Sequence, residues 1–262
     1  MSNNILEHLS ELLKHNPQNL TIIEEQIDIE IQMEYFKFSK SIKESIIDNF
    51  ELSEKDKLQD PETSNDELKR ILSQLATMEN VEAYRAIEAF YNNQTDHFLK
   101  NWSALALKES KMMLESSLLD EKQILISTGL GGKNSMLRYF IVFISKSGNT
   151  FNETQKKVIS SELEFTLQKN RSEVESIDFD QNYSKIVSLI PLDIPIKETV
   201  TSVIDECNQY GDFIMPNFII TNVKKLSSEE ITDFLNSDDS DDPELDEDDD
   251  NETNINDIDD IL

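Results

Sequence analysis

Glycine is absent from the first 128 residues of this 262-residue chain, and all five glycines lie between positions 129 and 211. Proline is absent from residues 62–190. The part before residue 129 has mainly helical patterns, whereas the part after it has the β-branched runs and glycine turns that are typical of strands. This shift in composition predicts a domain boundary near residues 119–122, and the length allows two modest domains.

Cysteine occurs once, at Cys207, which excludes an intramolecular disulfide and a metal cage built from cysteines alone. A single cysteine fits a reducing compartment. The N-terminus lacks the basic region, apolar core and cleavage site of a signal peptide, and no run approaches the roughly 18 apolar residues of a membrane span. These absences predict a cytoplasmic protein that does not bind a membrane.

Positive charge is scarce, because 24 Lys and Arg residues stand against 53 Asp and Glu residues, for a formal net charge of -29. Such a field repels a polyanion, so direct binding of nucleic acid through its phosphates is disfavoured. Residues 1–120 carry 12 basic and 23 acidic side chains, residues 121–225 carry 12 and 13, and residues 226–262 carry none and 17. The sequence therefore predicts a basic protein or nucleoprotein complex as the partner.

Apolar residues recur every three or four positions through the first half, which predicts amphipathic helices. The first helix is predicted over residues 3–15. The length of the segment 19–50 favours a second helix, although the alternation from Ile27 to Met33 also fits a strand. The segment 51–65 is predicted to be a surface linker. Three more helices are predicted over residues 66–77, 80–92 and 96–119, and their short connections force neighbours to pack antiparallel.

The segment from Ile87 to Leu107 contains a helix, a short turn that carries Asp96, and a helix with small and leucine residues at its packing positions. This arrangement resembles a HEAT-type helical repeat over residues 66–119, without the Pro and Arg often found in that pattern. The resemblance implies a helical surface that binds protein. An unrelated pair of helical hairpins is the alternative interpretation.

Two runs rich in Ile, Val, Phe and Tyr, residues 123–128 and 138–145, flank the cluster Gly129-Leu-Gly-Gly132 and predict a strand, a reversal and a strand. The elements predicted after them are a helix over 152–169, strands over 174–180 and 185–192, a helix from Pro195 to Tyr210, a strand over 213–223 and a short helix after Ser227.

The order of these elements after the reversal is βαββαβ, which predicts a ferredoxin-like unit with residues 123–128 as an extra strand. The predicted fold class is therefore α+β. It consists of a domain of antiparallel helices over residues 1–120, a ferredoxin-like domain over residues 121–235, and a disordered acidic tail over residues 236–262.

The tail holds 14 acids and no basic residue in the 25 positions from Asp238 onward, so it cannot bury enough apolar surface to order itself. Its end places apolar residues three apart among acids, a pattern that can fold as a helical turn in a partner's groove. The predicted partner-binding residues are Asp246, Glu247, Asp248, Asp249, Asp250, Ile255, Ile258, Ile261 and Leu262. A solvated tail that only aids solubility is the alternative.

The glycine cluster fails as a phosphate-binding loop, because Ser127 stands where its first glycine belongs and Asn134 where a magnesium-binding Ser or Thr belongs. Cys207 shares a helical stripe with apolar residues, which favours a buried position over a nucleophile. His8 and His15 are seven residues apart, too far to chelate one metal as an i, i+4 pair does. The sequence therefore predicts no catalytic residue, no cofactor and no metal site.

The strand over residues 138–145 supports an alternative function. Alternation places Tyr139, Ile141 and Phe143 on one face. If helices leave that face open, Tyr139 and Phe143 could stack on RNA bases, with Lys133 and Arg138 close by. The nearly neutral charge of residues 121–225 favours a structural core instead.

The leading hypothesis is a non-catalytic intracellular adaptor or assembly factor that binds a basic protein surface through its folded platform and acidic tail. Ribosomal proteins, RNA polymerase and nucleoid components are the expected kinds of partner. The alternative is an RNA-binding module that uses the open face of the sheet. The sequence leaves the oligomeric state open.

Overall fold

The computed structural model describes residues 20–44, 50–119 and 124–238. The chain divides after Lys224 into two compact units. In the first unit, helices dominate up to residue 119, and a five-stranded sheet with two helices occupies residues 132–221. The fold is therefore mixed α and β, as predicted. The predicted helix over residues 3–15 lies outside the described residues, as do residues 239–262 of the predicted disordered tail. Residues 236–238, which the prediction assigned to that tail, are helical.

The helices of the first part are α1 (Ile29–Glu44), α2 (Asn65–Ala76), α3 (Val81–Asn93) and α4 (His97–Leu119), with a 3-10 helix (Leu52–Gln59) before α2. Helices α2, α3 and α4 begin and end within one residue of their predicted bounds. A polar side chain caps each start: Ser64, Asn80 and Asp96 accept hydrogen bonds from backbone N–H groups of the first turn. Across the described ranges, no helix combines the length and apolar character that crossing a membrane requires.

Helices α1 to α4 and the 3-10 helix together form the helical layer. Trp102 of α4 lies at its centre and is fully buried. Its ring packs edge-on against Tyr35 and Phe38, with ring centroids 5.1 and 5.7 Å apart, and stacks on Phe98 at 5.7 Å. The indole Nε1 donates a hydrogen bond to Ser73 Oγ at 3.1 Å. The surrounding core residues, all fully buried, include Ile71, Leu72, Leu75, Ile87 and Leu105.

The sheet is built from β3 (Gly132–Lys133), β4 (Met136–Ser145), β5 (Glu173–Asp180), β6 (Tyr183–Pro191) and β7 (Ile214–Thr221). The spatial order is β7, β4, β6 and β5, each neighbour antiparallel, and β3 pairs with the first residues of β4. Ile141 of β4 lies opposite Ile186 of β6 on one side and Ile220 of β7 on the other.

Helices α5 (Glu153–Lys169) and α6 (Ile196–Asn208) pack on one face of this sheet. A capping box between Asn152 and Gln155 fixes the start of α5. Helix α6 ends at Asn208, whose Oδ1 accepts the N–H groups of Phe213 and Ile214 and so directs the chain into β7. The core between sheet and helices contains Ile141, Phe143, Ile159, Leu163, Ile186, Val203 and Ile204.

The predicted pairing of residues 123–128 with the strand over 138–145 is wrong. Strand β2 (Ile124–Ile126) pairs in parallel with β1 (Leu20–Ile22), and the two form a separate two-stranded sheet. The segment 19–50 therefore contains a strand before α1 begins. The alternating stretch from Ile27 leads into that helix, because Asp28 Oδ1 accepts the N–H of Glu30 at 2.8 Å.

The glycine cluster is a packed junction. Gly131 has a φ of +65°, and a Cβ there would lie 2.4 Å from the carbonyl oxygen of Glu25, so only glycine fits without a shift of backbone. The buried amide of Gln32 ties α1 to the same loop, because its Nε2 donates to the carbonyl oxygens of Ile27 at 2.7 Å and Thr128 at 3.1 Å. The loop then turns from β3 to β4 through Asn134 and Ser135, both with positive φ, as a tight hairpin requires.

The second unit contains α7 (Ser228–Asp238), which was predicted after Ser227. Ser227 Oγ accepts the N–H of Glu230 at 3.2 Å, and Glu230 Oε2 accepts the N–H of Ser227 at 2.8 Å. This reciprocal capping box satisfies two donors at the helix start, which explains why the helix begins there.

Candidate functional site: a groove in the helical layer

One face of α3 and the 3-10 helix enclose a groove with a cavity of about 660 Å³. The face of α3 consists of residues three or four positions apart, so they form one stripe along the helix: Glu82, Arg85, Ala86, Ala89, Phe90 and Asn93. The 3-10 helix contributes Lys55, Asp56, Leu58 and Gln59 to the opposite wall.

The groove exists because two small residues occupy the middle of this stripe. Ala86 and Ala89 end at Cβ, whereas Ala83 and Ile87 point from the other side of α3 into the helical core and are fully buried. The helix is thus held in place by its buried side while its outer side leaves space. Leu58, which is buried, anchors the 3-10 helix beside that space.

A second cavity of about 380 Å³ continues the groove toward the start of α4. It shares Leu58, Gln59, Phe90 and Gln94 with the first cavity, so the two form one trough. Its further lining residues are Asp60, Pro61, Thr63, Asn65, Leu68, Asp96 and Leu99. The trough therefore combines a base of leucine side chains with a polar rim.

Only some of the charged side chains that line the trough form ion pairs. Lys55 Nζ forms an ion pair with Glu82. Arg85 is exposed and makes no ion pair with any residue that the structure describes. Asp56, Asp60 and Asp96 likewise have no ion-pair partner in the described ranges. The trough can therefore accept cationic groups at three carboxylates and offer one guanidinium to an acceptor.

The trough is not predicted by the sequence, because residues 51–65 have the composition of a linker. The apolar residues Leu52 and Leu58 are six positions apart, which is two turns of a 3-10 helix. This spacing is the pattern from which the 3-10 helix could have been predicted. The small residues Ala86 and Ala89 between charged neighbours on an outer helical face were the second signal. Neither shows that the two segments face each other.

The aromatic pair predicted for RNA stacking lies on the wrong face for that role. Phe143 is fully buried in the core beneath α5 and α6, and Tyr139 is partly buried against the same core. Burial raises the pKa of Tyr139 above its ordinary value, in keeping with a phenol removed from water. The two side chains do not form an open platform for bases.

The two basic residues predicted beside that pair, Arg138 and Lys133, have different surroundings. Arg138 is paired bidentately with Glu175, through Nε at 2.5 Å and Nη2 at 2.9 Å, and its Nη1 donates to the carbonyl of Leu130. It therefore fastens the glycine loop to the sheet. Lys133 is exposed at the tip of the hairpin.

The predicted partner-binding residues of the tail, from Asp246 to Leu262, lie outside the described residues, as do His8 and His15. Of the remaining reactive side chains, His97 is exposed at the start of α4 with Asn101 Nδ2 within 3.5 Å of its ring. Over the described ranges, no three His, Cys, Asp or Glu side chains come together as a metal site would require.

Cys207 is fully buried in the core between the sheet and helices α5 and α6, as its helical spacing predicted. Burial, with the nearby charges of Glu162 and Glu206, raises the pKa of its thiol from 9.0 to about 12. A thiol with that pKa is a poor nucleophile near neutral pH, because little of it is thiolate.

The raised pKa of Cys207 predicts a pH dependence of stability. The pKa of the thiol is higher in the folded state than in the unfolded state. The contribution of the buried thiol to the free energy of unfolding is therefore complete below pH 9.0 and is lost as the pH rises toward about 12. Urea unfolding between about pH 8 and 11 should show a smaller loss of stability for Cys207→Ala than for the wild type. Identical slopes for the two proteins would contradict the prediction.

Comparisons with known proteins give no family for this chain. No protein-family model matches it, and no curated protein matches it. Among solved structures, a putative transposase from Deinococcus radiodurans is similar at 11% sequence identity with a TM-score of 0.35, over 39% of this chain and 90% of that one. A likeness of that size carries no inference about fold or chemistry.

Proposed function

We propose that the chain is a non-catalytic intracellular adaptor or assembly factor that binds a basic protein surface. The observation that supports this is the arrangement of charge on the helical layer. Seven of its cations form ion pairs with acids of the same half of the chain: Lys43, Lys55, Lys57, Lys69, Arg70, Lys108 and Lys111. Acids in excess of these pairs remain exposed, among them Asp56, Glu62 and Glu79, with no ion-pair partner in the described part of the chain.

This arrangement favours a basic partner for a physical reason. Internal ion pairs cancel each other at a distance, so the field that a partner meets is set by the unpaired charges, among which acids outnumber cations. A surface with one sign of charge steers a partner of the opposite sign and excludes partners of its own sign. The net charge of -29 over the whole chain acts in the same direction.

The acidic tail belongs to the same proposal, because five consecutive acids, Asp246 to Asp250, carry a dense negative charge. A full-length variant in which these five residues are changed to Asn or Gln should bind basic partners about tenfold more weakly at physiological salt. The measurement is co-purification of wild type and variant from native cells, followed by elution at graded salt and identification of the eluted proteins.

Two results would contradict this function. One is the same set of partners with the same salt sensitivity for both proteins, and the other is a set of partners that is not basic. A matched control is a full-length variant with five exposed Ser or Thr residues of the folded part changed to alanine. It alters as many positions without altering charge, so its elution should match that of the wild type.

For the fold, we propose the ferredoxin-like arrangement for residues 136–221. The strand order β7, β4, β6, β5, with antiparallel neighbours, supports it, as do the two helices on one face. The HEAT-type resemblance of residues 66–119 stays a prediction. The packing of α4 against both α2 and α3 supports a helical platform of that general kind.

A further inference from the structure

The trough of the helical layer has carboxylates at its rim and leucines at its base. Asp56 lines the larger cavity, and Asp60 and Asp96 line the smaller one. Leu58, Leu68 and Leu99 lie beneath them and are buried. Long cationic side chains suit such a surface, because Lys and Arg bury an aliphatic stem along apolar atoms while the charged end stays at a polar rim.

The trough also offers hydrogen-bond donors for which the described residues supply no acceptor. Gln94 Oε1 accepts the N–H groups of Thr95 and Asp96, both at 2.8 Å, which directs its Nε2 away from the backbone. Arg85 makes no ion pair with the described residues and is exposed. Donors of this kind match the carbonyl oxygens of an extended peptide, which has one acceptor at every residue.

From these two features we infer that the trough binds an extended, lysine- or arginine-rich segment of the partner. In the larger cavity a cationic side chain lies over Ala86 and Ala89, and its charge faces Asp56. In the smaller cavity another lies over the leucines, and its charge faces Asp60 and Asp96. Arg85 and Gln94 hold the main chain. This inference rests on the proposed function and adds to it a location and the chemistry of the segment that is bound.

The test uses a fluorescein-labelled decapeptide of alternating lysine and alanine. The protein is the full-length chain with Asp246 to Asp250 neutralised, so that the tail does not dominate binding. Ala89→Trp fills the trough without changing charge, and it should weaken binding at least about tenfold in fluorescence anisotropy. Ser161→Trp, at an exposed position of α5, is the matched control and should bind as the parent does.

A second pair of variants tests the charges without adding bulk. Asp56→Asn removes an exposed carboxylate of the trough, and Glu164→Gln removes an exposed carboxylate of α5. The first should weaken binding about twofold to fivefold, the size expected of one exposed ion pair, and the second should change it less. This pair remains informative if tryptophan at position 89 disturbs α3.

The outcomes separate the two proposals. Equal affinities for Ala89→Trp and Ser161→Trp, together with equal affinities for Asp56→Asn and Glu164→Gln, would overturn the trough and leave the proposed function standing. Binding by the wild type but not by the tail-neutralised parent would also overturn the trough and would assign the binding to the tail. No binding by any protein at low salt would overturn the proposed function itself.

Discussion

Replacing Trp102 by alanine is expected to cost about 3–5 kcal/mol of unfolding free energy, a large fraction of the roughly 5–15 kcal/mol that stabilises a typical domain. Trp102 is fully buried among Tyr35, Phe38 and Phe98. The variant loses the transfer free energy of the indole and leaves a cavity that four helices cannot close, because each is held by other core contacts. Ser73 also loses its hydrogen-bond partner.

Urea unfolding followed by circular dichroism measures this loss, since Trp102 is the single tryptophan and its fluorescence disappears with the substitution. Trp102→Phe keeps an aromatic ring, so it should lose less than half as much unfolding free energy as Trp102→Ala loses. Leu118→Ala is the matched control on the same helix, because Leu118 is 82% exposed and its loss should cost less than about 0.5 kcal/mol. A cost below about 1 kcal/mol for Trp102→Ala would show that this core is not as the structure describes it.

The helices and most strands were predictable because the spacing of apolar residues within each element shows which of its sides is buried. Apolar residues at helical spacing fix which face of α2, α3 and α4 is buried, and Ser64 and Asn80 mark where helices start. The parallel pairing of β1 with β2 was not predictable. It joins segments separated by the whole helical layer, and a three-residue strand contains too few residues to show a period.

The sequence left open which face of the sheet the helices cover, for a different reason. Alternation correctly grouped Tyr139, Ile141 and Phe143, but the residues between them, Phe140 and Val142, are equally apolar and also buried. When both faces of a strand are apolar, the pattern cannot say which face the helices cover. The trough was missed because its two walls come from a segment of linker-like composition and from the outer side of a helix.

The second large effect is expected at Glu109, a carboxylate of α4 that is only 3% exposed. Tyr35 donates to its Oε2 at 2.5 Å, Ser39 Oγ lies 2.7 Å from Oε1, and Lys43 Nζ lies 2.7 Å from Oε1. All three partners belong to α1, so one carboxylate holds α1 against α4. Burial, and then the charge of Glu109, raise the pKa of Tyr35 well above its ordinary value, which keeps the phenol protonated as a donor.

Glu109→Leu should therefore cost about 3–4 kcal/mol, because it leaves the Tyr35 and Ser39 hydroxyls buried without an acceptor. The informative comparison is the triple variant Tyr35→Phe, Ser39→Ala, Glu109→Leu, measured by urea unfolding. Replacing all of these polar groups by apolar ones removes the unsatisfied hydroxyls, so the triple variant should be more stable than Glu109→Leu alone. If the triple variant is instead less stable than the single one, shape rather than hydrogen bonding holds α1 in place. That result would contradict the role assigned to the carboxylate.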